Sequence, residues 1–217
     1  MDSLTDERNT WFNAVRLEDS HDYSSATLAY IEDANRCLGR SFFIRSAMSA
    51  TCAASCLAML GGVDGAVELC SASASLYEHN ADLNIGRSIR EALWSYLHAF
   101  EYYTLASDLV SAERASKKYA DLARRVDRFE AKGAFETLKS RREAVLVTRS
   151  SLSTKTGVSA NNILVSRIQP TLKSFLRQVQ AVARSSPDSE FPEVKPEDDE
   201  YLVYESESDL NERSIVS

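Results

Sequence analysis

The chain has 217 residues, 44% of them hydrophobic, and a net charge of -7. That is enough apolar material for a core, while no run of 18 or more apolar residues exists to form a transmembrane helix. The opening MDSLTDERNTW is polar and acidic and lacks the basic-then-apolar order of a secretory signal, so the expectation is a cytoplasmic chain whose four cysteines stay reduced.

The modest net charge hides segregation. Residues 1–112 carry 7 basic and 15 acidic side chains, residues 113–186 carry 16 and 6, and residues 187–217 carry 2 and 11. An acidic body, a basic middle and an acidic tail follow one another. Such a field bears on association and steering more than on fold.

No proline precedes Pro170, and Ala, Leu, Arg, Glu and Ser dominate. Apolar residues recur at spacings of three and four, as in Leu93, Leu97 and Phe100. Both features favour helices. Eight are predicted, at about 4–20, 23–38, 41–60, 63–80, 84–106, 109–127, 129–149 and 160–184, with glycines as punctuation. Ser3 with Asp6 reads as a capping box for the first, Ser41 as the N-cap of the third and Asp82 as that of the fifth. Short connections imply antiparallel neighbours. Residues 1–149 thus form a helical domain, 150–162 a Ser/Thr/Gly/Asn-rich loop, 163–184 an amphipathic basic helix and 185–217 an acidic tail expected to be disordered.

In the third predicted helix Cys52 and Cys56 stand four apart, on one helix face. A structural zinc would need two further ligands close by. Cys37 and Cys70 belong to other predicted helices, and His21, His79 and His98 are scattered singly. Surrounded by Ala and Ser, the pair reads as small packing residues, and no metal or cofactor is expected. The phosphate-binding, zinc-protease and nucleophile-elbow patterns do not occur. The expectation is a protein that is not an enzyme.

Five aromatics crowd residues 94–103 of the fifth helix, which is apolar nearly all round. It either packs on both sides as a central helix or lines a groove with Trp94, Tyr96, Tyr102 and Tyr103, whose hydroxyls would offer hydrogen bonds. Arg87 and Arg90, just upstream, would clamp a carboxylate. Arginines and lysines at 124–142 are mixed with acids and read as a solvated face. The last helix differs. Residues 150–186 hold five basic residues, among them Arg167, Lys173, Arg177 and Arg184, and no acid. Leu164, Ile168, Leu172, Phe175, Val179 and Val182 form a clean apolar stripe. Pro170 either starts this helix or kinks it. Capping a helical stack, docking on an anionic membrane or joining a partner or dimer helix all fit that pattern. Nucleic acid fits it least, because no aromatic-basic interleaving accompanies the charge. In the tail, Tyr201-Leu202-Val203-Tyr204 stands out among acids, as a linear motif or as a pseudo-ligand for the basic region.

Three segments align without gaps: DYSSATLAYIEDA from Asp22, GVDGAVELCSASA from Gly62 and DLVSAERASKKYA from Asp108. Each places alanines eight apart, at 26 and 34, 66 and 74, and 112 and 120. Small residues at that spacing share a helix face and let a neighbour approach. Twelve residues before each first alanine stand Ala14, Ala54 and Phe100. Phe100 requires different packing in the third copy. The Asp-Tyr-x-x-Ala of residues 22–26, with Tyr30, and the Gly-Val-x-x-Ala of residues 62–66 resemble the tetratricopeptide repeat (TPR) family across residues 8–127. Spacings of 40 and 46 residues, against that family's usual 34, and the absence of its closing proline look more like its long-helix relatives such as the SNAP adaptors. The resemblance implies a curved solenoid of stacked helical hairpins whose concave face binds a protein segment. The combined expectation is an all-α adaptor or scaffold that binds another protein or itself, with a membrane or vesicle adaptor using the basic helix as the alternative.

Overall fold

The computed structural model describes residues 9–126, 128–155 and 162–185. Among them the protein is all-helical, with eight helices: α1 (Thr10–Asp19), α2 (Tyr23–Leu38), α3 (Phe43–Met59), α4 (Val63–Asn84), α5 (Ile89–Leu105), α6 (Leu109–Val126), α7 (Arg128–Lys155) and α8 (Asn162–Arg184). None is long and apolar enough to cross a membrane. Each helix from α1 to α6 packs on the next, α7 also touches α5, and α8 packs on α2 and α4.

The pairs α1–α2, α3–α4 and α5–α6 reverse direction in the same way. One residue adopts the left-handed conformation: His21 (φ 64°), Gly61 (79°) and Ser107 (64°). The next residue donates its N–H to a carbonyl five positions back, Asp22 to Leu17 (2.9 Å), Gly62 to Leu57 (3.0 Å) and Asp108 to Tyr103 (2.9 Å). That 6→1 bond is the closing bond of a Schellman turn. The three turns sit at the same position in each of the three aligned segments. The same bond, Phe42 to Cys37 at 2.9 Å, closes α2.

Several expected caps move. The predicted capping box at Ser3 and Asp6 lies outside the described residues; α1 is capped by Asn9, whose side chain accepts from the Trp11 N–H. Ser41 is not an N-cap, because it supplies the left-handed residue (φ 60°) and Phe42 takes the cap position without a side-chain bond. Asp82 lies inside α4, and Ser88 caps α5 by accepting from the Glu91 N–H. Of the predicted loop 150–162, residues 150–155 belong to α7, which continues to Lys155, Asn162 begins α8, and 156–161 lie outside the described residues. Neither Gly nor Pro occurs between Gly133 and Gly157, so nothing local stops the helix at 150. Pro170 lies within α8.

The alanines work as the alignment requires. Ala14, Ala26, Ala34, Ala54, Ala66, Ala74 and Ala112 are buried, and Ala120 is half-buried. Phe100 is buried as well, so the third pair accommodates a ring where the first two hold a methyl. Gly65 sets the approach of α8: a Cβ there would stand 2.7 Å from Leu57 Cδ2 and 3.2 Å from Leu172 Cδ2. Leu172 joins Ile168, Phe175 and Val179 in the main core, which α8 thereby enters from its α2–α4 side.

Asp33 ties the first three helices together. It is fully buried and accepts hydrogen bonds from Thr10 Oγ1 of α1 (2.7 Å), Ser49 Oγ of α3 (2.7 Å) and Arg36 Nη2 of its own helix (3.1 Å). Arg45 Nη2 stands 3.5 Å away. Burial opposes the charge, but the bonds from Thr10, Ser49 and Arg36 outweigh it and hold the carboxyl below its usual range.

Candidate functional site

Helix α5 carries the predicted aromatic site, and the structure divides that site between two faces. Tyr96 and Tyr103 are buried and turned toward acids of α4. The Tyr96 hydroxyl donates to Asp82 Oδ1 (2.5 Å) and the Tyr103 hydroxyl to Glu78 Oε2 (3.0 Å). From α6, Arg114 grips Glu78 with two parallel bonds (2.9 and 2.8 Å), while Lys118 reaches Asp82 (2.8 Å) and Glu78 (3.1 Å). Arg114 and Lys118 also lie over the rings of Tyr103 and Tyr96, 5.7 and 5.6 Å from their centroids. Burial works against the Glu78 charge, yet Arg114 and Lys118 hold its carboxyl below the ordinary range. Burial and the hydrogen bond to Asp82 push the Tyr96 phenol strongly up. These hydroxyls are spent inside the fold. Tyr96 and Tyr103 therefore do not line a partner groove. The sequence reading missed Glu78 and gave Asp82 a capping role, although acids four apart on α4 and bases four apart on α6 were visible in it.

The opposite face keeps part of the prediction. Trp94, His98 and Tyr102 stand at successive four-residue steps around Tyr77 of α4. The Tyr77 centroid lies 5.6 Å from Trp94, 5.2 Å from His98 and 5.7 Å from Tyr102. Trp94 is 42% exposed, and Tyr102 is half-buried. His98 Nδ1 lies 2.9 Å from Glu101 Oε2, at ion-pair distance but outside hydrogen-bond geometry. Glu101 also pairs with Arg141 of α7 (3.1 Å). Arg87 and Arg90 are exposed at the start of α5 and form no ion pair among the described residues.

A second region was not anticipated. Around the α2–α3 turn a groove of about 580 Å³ opens, lined by Trp11 of α1, Asn80 of α4 and residues 41–45 and 48. The left-handed Ser41 throws Phe42 outward, to 56% exposure, and Met48, one and a half turns further along α3, is 45% exposed. Phe43 is fixed edge-on against His79 at 4.6 Å, and Asn80 is tied by its Nδ2 to Ser95 Oγ (3.0 Å) and Glu91 Oε1 (3.2 Å). The floor is thus held by packing while Phe42 and Met48 remain open. Trp11, Phe42 and Asn80 come from three separate parts of the chain, so no single window of sequence displays the groove.

Burial explains the cysteines. All four are free thiols; Cys37, Cys56 and Cys70 are buried and Cys52 is half-buried. Burial pushes Cys52 and Cys70 up to about 11 and Cys56 to about 12, which keeps them protonated and weakly nucleophilic. No group of three or more His, Cys, Asp and Glu among the described residues is placed to hold a metal. On α8, Arg167, Lys173, Arg177 and Arg184 are all exposed. Lys173, Arg177 and Arg184 share the side opposite the buried apolar stripe, as their spacing of four and seven dictates. No protein-family model, curated protein or solved structure matches this chain.

Proposed function

We propose that the protein is a TPR-like helical-repeat scaffold that binds a short apolar segment of a partner protein in the groove at the α2–α3 turn. The observation that carries this reading is the groove itself: an apolar concavity of about 580 Å³ in which Phe42 and Met48 are exposed above a fixed floor. Sites that take a few anchoring side chains are apolar, preformed and of this size. Aromatic and methionine side chains dominate binding hot spots. Three further points support the repeat part of the reading: the identical turns, the buried alanines at matching positions and the TPR-like residues 22–30 and 62–66. Such a scaffold needs neither cofactor nor catalytic residue. Trp94, with Arg87 and Arg90 nearby, would extend the binding surface along α5, whereas Tyr96 and Tyr103 hold α4, α5 and α6 together.

The membrane-adaptor alternative fits less well. An amphipathic helix binds lipid through its apolar face, and in α8 that face is packed into the core, leaving only the basic side. Affinity capture with the full chain tests the proposal against the exposed-surface variants Phe42→Ala and Met48→Glu. A partner retained by the wild type and by a distant control, Val110→Glu, but lost from both groove variants, is the expected result. Partners that bind all four proteins equally would refute the assignment of the groove.

A further inference from the structure

We infer that the groove at the α2–α3 turn has a resident ligand within the same chain: the tail segment Tyr201-Leu202-Val203-Tyr204, which a partner must displace. The inference rests on the groove reading above and adds an occupant to it. Three observations select this segment.

The first is chemical fit. The groove offers Trp11, Phe42 and Met48 to an apolar ligand. Outside the described residues, 201–204 is the longest uninterrupted apolar run in the chain. The second is charge. Glu200 and Glu205 bracket the run, within a stretch of 31 residues that carries 11 acids and 2 bases. At the groove, Arg45 lines the wall and Arg40 stands exposed on the turn that presents Phe42. Arg40 forms no ion pair among the described residues. The acidic flanks of the run complement the positive charge that Arg40 and Arg45 place on this turn.

The third is reach. Fifteen residues lie between Ser185 and Tyr201. At roughly 3.3 Å each, such a chain spans up to about 50 Å, longer than the roughly 33 Å of the 22-residue α4. The tail therefore has the length to run the full extent of α4, the helix that α8 packs on and that contributes Asn80 to the groove. A tethered segment also sits at an effective concentration on the order of millimolar. A short apolar run that binds weakly when free therefore still fills its groove when attached.

The test uses the full chain and a fluorescent synthetic peptide of residues 197–208, with anisotropy as the readout. Leu202→Ser with Val203→Ser removes the internal ligand. The wild type is expected to bind the peptide about tenfold or more weakly than this tail variant, because its groove is already occupied. Adding Met48→Glu to the tail variant is expected to abolish peptide binding. Its melting curve, unchanged because Met48 is exposed, shows that the fold persists. Equal peptide affinity for wild type and tail variant overturns the inference. So does peptide binding that survives Met48→Glu. If Leu4→Ser, rather than the tail substitutions, frees the groove, the N-terminal arm is the occupant and the inference fails. Light scattering that shows concentration-dependent dimers, dispersed by the tail substitutions, assigns the segment to a second copy and overturns the intramolecular form. Failure of the tail arm alone leaves groove-dependent partner capture intact, whereas failure of the groove proposal appears as capture indifferent to Phe42 and Met48.

Discussion

Replacing Phe175 by Ala asks whether α8 is part of the folded core. Phe175 is fully buried, within a cluster containing Ile168, Leu172 and Val179 of α8 and residues of α2 and α4. A buried aromatic side chain removes on the order of 150–200 Å² from water, worth about 4 kcal/mol at roughly 25 cal/mol per Å². Alanine retains a little of that, while the cavity left behind adds to the cost, so the expected destabilisation is about 3–4 kcal/mol. Total stability of a domain is of order 5–15 kcal/mol, so the loss is large. Urea unfolding followed by far-ultraviolet circular dichroism measures it directly. The midpoint should fall with an unchanged slope if α8 unfolds with the rest, and the slope should fall too if α8 detaches first. Lys173→Ala on the exposed side of the same helix should stay within about 0.5 kcal/mol of wild type. A Phe175→Ala protein as stable as wild type, with the same slope, would refute the packing of α8 on α2 and α4. It would also return its apolar stripe to the pool of surfaces available for a membrane.

Other perturbations follow from the same geometry. Glu78→Gln keeps an acceptor but uncouples Arg114; because Arg114 is half in water, the expected loss is about 2 kcal/mol, below the 3–5 typical of fully buried pairs, measured by urea unfolding. Asp33 and Glu78 both have carboxyls held below their ordinary values of 3.8 and 4.5. Folded-state values below unfolded ones give stability that is fully present above those ordinary values and is lost as pH falls through the folded ones. Melting temperature should therefore hold near neutrality and drop below about pH 4, and Asp33→Asn should flatten that acid limb while lowering stability at pH 7 by about 1–3 kcal/mol. A steeper acid limb in Asp33→Asn would contradict the sign. Gly61→Ala places a Cβ on a residue with φ of 79°, and should cost about 1–2 kcal/mol in thermal unfolding.

What the sequence determined by itself is the local chemistry of helix formation. Apolar spacing of three and four, glycine punctuation and the absence of proline before Pro170 are properties of short windows. They placed both ends of α2 as observed, those of α6 within one residue, those of α3 within two and those of α5 within five. The alanine spacing also announced where helices come closest. Caps were less legible, because Ser41 and Asp82 have good capping chemistry but are used otherwise. The left-handed turn needs Ser41 for its backbone, and Lys118 and Tyr96 engage Asp82.

Only the tertiary structure decided which way the aromatics of α5 point. A helix apolar on nearly every side gives no periodic signal to choose a face. The choice came from Glu78 and Asp82, which draw Tyr96 and Tyr103 inward and leave Trp94 and Tyr102 beside Tyr77 on the other side. The groove is likewise a product of packing. Trp11, Phe42, Met48 and Asn80 share no motif and become neighbours only when α1, α3 and α4 are brought together, by the Asp33 network and by the edge-on contact of Phe43 with His79. Periodicity is written along one helix, but a concave surface depends on the distances between several, and those are fixed by the core.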